Sequence, residues 1–263
     1  MDTPVVLITG ALTGIGRATA LAFAQEGSRL VISGRRDDAG QALVTELRAL
    51  GAEAEFVRAD VRHEDDVRNL VDRTVERFGR LDVAVNNAGT EGKPGPLTEQ
   101  SAETYAATFD TNVLGTILSL KHEMRVMLAQ RHGNIVNISS TMGERGAANM
   151  SLYAGSKHAV EGITKSAALE AAAFGVRVNA VAPGPVETAL LDRFTGNADR
   201  QASLVAGVPV KRVGTAQEIA QAIVFLASDR VEYLTAKSSE SMAARPLFDL
   251  NSVSENDMGR LMS

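Results

Sequence analysis

The chain has 263 residues, 44% of them hydrophobic and 22% charged, with a formal net charge of −5 at pH 7. This composition is typical of a soluble globular protein, and the acidic balance provides no electrostatic reason to bind nucleic acid or an anionic membrane. Because the chain contains no cysteine, disulfides, thiolate catalysis and cysteine-ligated metals are excluded. The histidines show no metal-like spacing, and we interpret all four as surface residues: His63, His122, His132 and His158.

The start of the chain and its apolar runs indicate where the protein resides. A strand is predicted to begin at Val5, which leaves no room for a signal peptide. No apolar run approaches the ~18 residues of a membrane-spanning helix. We therefore expect a cytoplasmic protein with no membrane partner and no nucleic-acid partner.

Short β-rich runs alternate with amphipathic segments, which predicts an α/β fold with a doubly wound parallel sheet and helices on both faces. The predicted strands are Val5–Thr9, Arg29–Ser33, Glu53–Val57, Leu81–Val85, Gly133–Ile138 and Val176–Val181. The predicted helices lie near residues 15–26, 38–50, 64–78, 101–131, 153–174 and 215–228, with a helical flap over 187–207. No linker or repeat divides the chain, so we predict one domain over residues 1–237, followed by a tail over residues 238–263.

A glycine-rich loop, T-G-A-L-T-G-I-G from Thr9 to Gly16, follows the first predicted strand and opens the first helix. Glycines at such a turn allow the backbone to approach a pyrophosphate, which then lies at the helix N-terminus. The spacing is G-x-x-x-G-x-G and differs from the common G-x-G-x-x-G pattern. A simple helix entry without a ligand remains the alternative for this loop taken alone.

Tyr153 and Lys157 lie one helical turn apart, so their side chains share a helix face. A free tyrosine has a pKa near ~10, and a neighbouring ammonium group favours the phenolate and lowers that pKa toward the working range. Ser140 ends the preceding apolar run, which is predicted to be a strand. The three side chains together predict an acid/base site, and the alternative is a surface tyrosine and lysine on an ordinary helix.

The glycine loop, the turn N-N-A-G at residues 86–89, Ser140, the Y-x-x-x-K pair and Pro183-Gly184 occur in one order along the chain. This combination resembles the short-chain dehydrogenase/reductase family, from about residue 5 to residue 235. The resemblance implies a Rossmann-like, dinucleotide-binding catalytic domain and an NAD(P)-dependent oxidoreductase acting on CH–OH donors. It also implies a homodimer or a homotetramer.

The resemblance implies a role for each of four residues. Tyr153 is expected to be the general acid/base, and Lys157 to hold the nicotinamide ribose and lower the pKa of the tyrosine. Ser140 is expected to hydrogen-bond the substrate oxygen. Asn112 matches the family's asparagine that anchors a water leading from Lys157 to solvent, and a polar residue that only packs helices is the alternative for it.

The resemblance also implies a set of cofactor-binding residues. Asp60 and Val61 match the adenine-binding pair, Asn87 is expected beside the adenosine ribose, and the segment 183–188 is expected to cover the nicotinamide. The complete predicted set is Gly10, Thr13, Gly14, Ile15, Gly16, Arg35, Arg36, Asp60, Val61, Asn87, Ala88, Gly89, Tyr153, Lys157, Pro183, Gly184, Val186 and Thr188.

The choice between the two nicotinamide cofactors depends on the end of the second strand. An acidic residue there would bind the ribose 2′-hydroxyl of NAD and repel a 2′-phosphate. This chain has Gly34 followed by Arg35 and Arg36, and guanidinium groups suit a phosphate. NADP(H) is therefore favoured over NAD(H), with the alternative that the arginines pair with Asp37 and Asp38.

The predicted reaction is hydride transfer between the cofactor and an alcohol or carbonyl carbon of a small or medium substrate. The substrate is expected to lie among residues 142–150, Val186 and residues 190–208. A dinucleotide-binding protein with little or no turnover is the alternative from a different class. Dehydration or epimerisation on the same fold is a third reading, and no sequence feature supports it.

The tail departs from the family pattern. Family members usually finish with a strand reading roughly T-G-x-x-x-x-V-D-G-G, and here residues 238–245 replace it with a segment that lacks strand periodicity. We therefore expect the seventh strand to be lost, which leaves an unpaired sheet edge. One permitted reverse translation of this region, read in a shifted frame, gives I-V-G-V-D-G-G. We hypothesise a frameshift in the gene or its recorded sequence, and the alternative is a natural variant with a divergent tail.

Overall fold

The protein is described here by a computed structural model that covers residues 3–236 and 238–240. Seven parallel strands form one sheet in the order β3-β2-β1-β4-β5-β6-β7. The strands are β1 Val5–Thr9, β2 Arg29–Gly34, β3 Ala54–Arg58, β4 Val83–Asn86, β5 Gly133–Ile138, β6 Val176–Ala182 and β7 Ser238–Glu240. The predicted parallel sheet is confirmed, and the first six strand bounds differ from the predicted ones by at most two residues.

Nine α-helices are present among the described residues. They are α1 Gly14–Gln25, α2 Asp37–Ala49, α3 Glu64–Phe78, α4 Ala102–Phe109, α5 Gly115–Gln130, α6 Ser151–Ala171, α7 Ala189–Thr195, α8 Ala198–Gly207 and α9 Ala216–Ala227. The helices α7 and α8 together form the predicted flap. No helix in the described part of the chain is long and apolar enough to cross a bilayer.

The core has two layers because strand side chains alternate between the faces of the sheet. On β1, Val6 and Ile8 pack in one apolar cluster with helices α1 and α9, whereas Leu7 packs in the other. The second cluster includes Leu70 of α3 and Met127 of α5. Both faces of the sheet are therefore covered, which is the doubly wound arrangement predicted from the apolar strands.

The strand order reverses at β1, which pairs with β2 on one side and with β4 on the other. The chain runs outward from β1 to β3 and then returns to place β4 beside β1. Ligands of open α/β sheets bind outside the carboxyl ends of the strands at such a switch point. A ligand site is therefore expected at the loops that follow β1 and β4.

The predicted single helix over residues 101–131 is wrong, because a π-helical turn at Asp110–Leu114 divides it into α4 and α5. π-turns insert one residue into the helix repeat, and they are frequent at functional sites. Gly115 follows the turn, and a Cβ there would lie 2.7 Å from Val61 Cγ2. The sequence carries no periodicity signal that marks this break.

The loss of the seventh strand was also predicted wrongly. Residues Ser238–Glu240 pair with β6 from Ala180 to Ala182. The pairing continues contacts made just before it, where Thr235 Oγ1 accepts a hydrogen bond from Val178 N at 3.2 Å and Ala236 N donates to Val178 O at 3.0 Å. The rest of the tail, residues 241–263, lies outside the described residues, so the frameshift stays a hypothesis. A gene sequence in which no single-base change restores V-D-G-G would refute it.

One of the four histidines does not lie at the surface. His122 is only 5% exposed, and its Nε2 atom lies 3.3 Å from Glu64 Oε1. It belongs to α5, which packs against α3, so the helix face that carries His122 is covered. His63 and His158 are exposed as predicted.

Glu123 lies in a buried polar network between the sheet and its covering helices. Asn86 Nδ2 donates to Glu123 Oε2 at 2.9 Å and to Asn137 Oδ1 at 3.0 Å, and Asn137 Nδ2 donates to Thr164 Oγ1 at 2.9 Å. Burial raises the pKa of Glu123 from 4.5 to about 7, and the hydrogen bond from Asn86 opposes that shift. The native protein therefore holds a proton that the unfolded chain releases at lower pH.

Replacing Glu123 with glutamine should stabilise the protein at alkaline pH and have little effect near pH ~5. Because the folded-state pKa is raised, the ionised carboxylate destabilises the native state increasingly from about pH 4.5 to about 7, and fully above that range. The shift corresponds to about 3 kcal/mol at most. Denaturant unfolding of both proteins at about pH 5 and about pH 8 measures it. A difference in unfolding free energy that does not change with pH would contradict this assignment.

Candidate active site

A cavity of about 650 Å3 opens at the carboxyl ends of the strands, at the switch point between β1 and β4. Seventeen of the eighteen predicted cofactor residues line it. Gly16 is the exception, and Asn112 of the four predicted catalytic residues also lies behind the wall. The lining residues from the predicted sets are Gly10, Thr13, Gly14, Ile15, Arg35, Arg36, Asp60, Val61, Asn87, Ala88, Gly89, Ser140, Tyr153, Lys157, Pro183, Gly184, Val186 and Thr188.

The glycine-rich loop forms one wall of the cavity and depends on its glycines. Gly10 has φ +63°, and a Cβ there would lie 2.7 Å from Ala88 Cα. At Gly16 a Cβ would lie 2.4 Å from Asn87 Nδ2 and 2.5 Å from Gly10 O. Asn87 Nδ2 donates to Thr9 O and Gly10 O, so it ties the loop to the turn after β4. Gly16 therefore supports the loop from behind rather than facing the cavity.

The N-terminus of α1, which is the positive end of the helix dipole, faces the cavity. The helix begins at Gly14, its N-cap Thr13 makes no side-chain capping hydrogen bond, and no acidic residue lies in the first turn. The free backbone N–H groups of such a terminus, together with the macrodipole, favour a bound anion. The glycine loop and this terminus have the chemistry of a phosphate site.

Basic side chains flank the end of β2 where the adenosine half of a dinucleotide would lie. Arg35 is 70% exposed, and its Nη1 atom lies 4.0 Å from Asp60 Oδ2. The Arg62 guanidinium hydrogen-bonds Asp60 and, against the effect of burial, lowers the pKa of that carboxyl to about 2.

The two acidic residues that follow the arginines do not neutralise them. Asp37 Oδ2 lies 3.7 Å from Arg58 Nη1. Among the described residues, neither Arg35 nor Arg36 forms an ion pair with Asp37 or Asp38. The structure therefore does not support the alternative that Asp37 and Asp38 pair with the two arginines.

The Asn112 side chain is held in the π-turn by three hydrogen bonds, and the residue is 1% exposed. Its Nδ2 donates to Thr90 O at 2.8 Å and to Ser156 Oγ at 3.0 Å, and its Oδ1 accepts from Thr90 N at 2.8 Å. These bonds join the π-turn to the loop after β4 and to α6. Gly89 lies close to both Asn112 and Lys157, since a Cβ there would be 3.4 Å from Asn112 Oδ1 and 3.7 Å from Lys157 Nζ.

Tyr153, Ser140 and Lys157 meet at the end of β5. Ser140 and Tyr153 both line the cavity there. Lys157 lies one turn further along α6, is 6% exposed, and its Nζ atom donates to Ile138 O at 2.7 Å. The same Nζ atom lies 5.7 Å from the centre of the Tyr153 ring. The predicted convergence of the three side chains is therefore observed.

The pKa values in this group differ from the sequence expectation. Burial raises the pKa of Tyr153, the Ser140 side chain opposes the shift, and the Glu91 carboxylate adds to it. Lys157 does not lower the pKa of the phenol as expected, because its ammonium group is directed to Ile138 O. Burial lowers the pKa of Lys157 itself to about 8, against the effect of the Glu161 carboxylate.

Sequence reasoning missed Glu91, which is buried at 8% exposure beside the tyrosine. Its carboxylate accepts two hydrogen bonds from Arg193 of α7, with Nη2 at 3.2 Å from Oε2 and Nε on Oε1. Burial raises the pKa of Glu91, but the Arg193 guanidinium outweighs it and the net shift is downward. This ion pair joins the flap to the loop after β4. Its only signal in the sequence is the position of Glu91 shortly after N-N-A-G.

The 142–150 loop and the flap also line the cavity, as expected. The apolar lining residues are Met142, Met150, Leu190, Leu191 and Leu204, and Arg145 is the basic residue contributed by the loop.

A family model described as "Enoyl-(Acyl carrier protein) reductase" matches residues 10–239 of the chain. An "A-factor type gamma-butyrolactone 1'-reductase (1S-forming)" of Streptomyces virginiae is 42% identical and is covered over 92% of its length by 89% of this chain. A cyclohexanol dehydrogenase of an Acinetobacter species is 39% identical, with 89% of this chain and 91% of the relative covered.

Solved structures are similar in fold and in sequence. Levodione reductase superposes with a TM-score of 0.89 at 35% identity, covering 93% of this chain and 98% of the other. An NAD+-bound xylitol dehydrogenase gives 0.87 at 32% identity, with 91% and 98% covered, and ElxO with NADP bound gives 0.86 at 34% identity, with 91% and 97% covered. The match over residues 10–239 and these relatives, taken with the glycine loop and the Ser140–Tyr153–Lys157 group, show that the chain belongs to the short-chain dehydrogenase/reductase family of NAD(P)-dependent oxidoreductases.

Proposed function

We propose that the protein is an NADP(H)-dependent oxidoreductase that interconverts an alcohol and a ketone or aldehyde, with Tyr153 as the acid/base. The observation that carries the proposal is that Ser140, Tyr153 and Lys157 line the same cavity as the glycine-rich loop. A protein that only binds a dinucleotide does not need a serine, a tyrosine and a lysine together at the end of β5. Relatives named as a cyclohexanol dehydrogenase and a γ-butyrolactone reductase support a small alcohol or ketone as substrate.

The residues present suit a nicotinamide dinucleotide. The glycine loop packs against neighbouring protein atoms so closely that Cβ atoms would clash there, and the α1 N-terminus offers backbone N–H groups to a pyrophosphate. Asp60, Val61 and Asn87 would hold the adenosine half, and the segment 183–188 would cover the nicotinamide. When bound, such a cofactor supplies hydride transfer to or from the substrate carbon.

The chain's own residues would bind, orient and protonate the substrate. The Ser140 hydroxyl would hydrogen-bond the substrate oxygen and hold it next to the Tyr153 phenol. In the reductive direction Tyr153 Oη would donate its proton to that oxygen, and in the oxidative direction it would accept one. Lys157 would hold the ribose, and Asn112 would anchor the water path by which Lys157 exchanges protons with solvent.

Removing the basic groups at the end of β2 tests the cofactor preference. We expect Arg35→Ala and Arg36→Ala together to raise the KM for NADPH by roughly 10- to 100-fold, because a charge-assisted hydrogen bond contributes about 1.5–3 kcal/mol. The KM for NADH should change little, since it has no 2′-phosphate. Steady-state kinetics with both cofactors measure the effect. Equal changes for NADPH and NADH would contradict the preference for NADP(H).

The second candidate function is a dinucleotide-binding protein with little turnover. The altered tail is the feature that favours it, because the sequence of the tail departs from the pattern of the family's usual final strand. Cofactor binding without turnover on any member of a panel of alcohols and ketones would support it. Assembly as a homodimer or homotetramer, and a catalytic domain that ends at residue 237, stay predictions.

A further inference from the structure

The substrate part of the cavity contains cationic groups that differ in how they are neutralised. Arg193 is paired in a two-point contact with the buried Glu91 carboxylate, so its charge is balanced within the protein. Lys157 is committed to Ile138 O and to the catalytic group. Arg145 belongs to the 142–150 loop and lines the same cavity, and no carboxylate of the described residues lies within 4.0 Å of its guanidinium.

Arg145 contacts the residue that follows Ser140. Its Nη2 atom is 3.5 Å from Thr141 Oγ1, which is at most a weak hydrogen bond. Thr141 and Ser140 both line the cavity that contains Tyr153. The guanidinium therefore stands at the substrate end of the cavity with most of its donors available to a ligand.

The remaining charged group of this region does not compete for that role. Glu187 lines the cavity at its cofactor end, beside Thr188, whose Cγ2 lies 3.2 Å from where a Gly14 Cβ would be. The residues that line the cavity also include the apolar side chains of Met142, Met150 and Leu190. A ligand that contacts these side chains and Arg145 therefore meets an apolar surface with a cation that no carboxylate of the described residues neutralises.

We propose that the alcohol or ketone that this site takes has an apolar body and bears a carboxylate, and that Arg145 binds that carboxylate. The proposal rests on the proposed function, because it assigns the substrate class of the same site. A guanidinium binds a carboxylate through two parallel charge-assisted hydrogen bonds, which fixes the orientation of the ligand as well as its affinity. Arg145 thus determines specificity and takes no part in proton transfer.

A matched pair of ketones tests the proposal: 4-oxocyclohexanecarboxylate and its neutral carboxamide. For the unmodified protein with NADPH we expect kcat/KM to be roughly tenfold higher for the acid, mainly through KM, after allowance for solvent screening of an exposed arginine. Arg145→Gln should lower kcat/KM for the acid far more than for the amide and so remove this preference, and Arg145→Lys should keep part of it. Arg68→Gln, on the exposed side of α3, is the matched control and should keep all of it.

A binding measurement separates this proposal from the proposed function. In the presence of saturating NADP+, the acid should raise the melting temperature of the unmodified protein more than the amide does, and Arg145→Gln should abolish the difference. This readout requires no turnover, so it stands even if neither ketone is reduced. Equal effects of the acid and the amide, or a preference for the acid that survives in Arg145→Gln, would overturn the role of Arg145. Loss of turnover alone would count only against the oxidoreductase assignment.

Discussion

Replacing Tyr153 with phenylalanine should lower kcat by about 10²- to 10⁴-fold, the contribution expected of a positioned general acid/base. The substitution removes only the phenolic oxygen of a residue that lines the cavity together with Ser140. The aromatic ring keeps its place on α6, so the cavity and its cofactor-binding walls should remain. The dissociation constant for NADPH should therefore change less than about threefold. Turnover is measured from the nicotinamide absorbance, and binding from a fluorescence titration.

Two comparisons sharpen this experiment. Ser140→Ala removes the hydroxyl that would hold the substrate oxygen and should also lower kcat, but by less than Tyr153→Phe, since the acid itself remains. Tyr105, which is exposed on α4 and stacks on Phe109 with ring centres 4.3 Å apart, provides a matched control, and Tyr105→Phe should leave kcat unchanged. Turnover that persists in Tyr153→Phe would show that another group moves the proton.

Replacing Gly16 with alanine should weaken NADPH binding by roughly 10- to 100-fold, although Gly16 does not face the cavity. The added Cβ would stand 2.5 Å from Gly10 O and 2.4 Å from Asn87 Nδ2, both far inside van der Waals contact. Gly10 O is a backbone atom, and Asn87 Nδ2 is held by Thr9 O and Gly10 O, so neither can yield without moving the phosphate-binding loop.

Gly162→Ala is the matched control for this substitution. Gly162 is an exposed residue within α6, and nothing lies within 4 Å of a Cβ built there. Alanine at this position should leave cofactor binding unchanged and raise the free energy of unfolding by about 0.5–1 kcal/mol, because glycine loses more backbone entropy in a helix. Unimpaired NADPH binding in Gly16→Ala would mean that the loop is not the pyrophosphate site.

The sequence predicted the sheet because buried parallel strands appear as short apolar runs between amphipathic helices. It also predicted the convergence of Ser140, Tyr153 and Lys157, since an i, i+4 pair on a helix shares one face. Local signals of this kind depend on residue spacing, so they can be recognised in one sequence without an alignment.

Features that depend on contacts between distant segments were missed. The Glu91–Arg193 pair joins residues 102 positions apart, and neither residue has a local pattern that predicts the other. The π-turn that places Asn112 breaks a helix whose composition is continuous. Strand β7 was missed for the same reason. It forms because Thr235 and Ala236 already hydrogen-bond to β6, and this contact overrides the poor strand propensity of residues 238–240.

Thermal melting of the purified chain, titrated separately with NADPH and NADH, tests most directly whether the cavity above β1 and β4 is a nicotinamide dinucleotide site. A ligand that binds only the native state adds about 2.7 kcal/mol of stability at a hundredfold excess over its dissociation constant. We expect NADPH to raise the melting temperature at a lower concentration than NADH requires. The rise in melting temperature with NADPH should be much smaller for Gly16→Ala. No rise with either cofactor would contradict the assignment of the site.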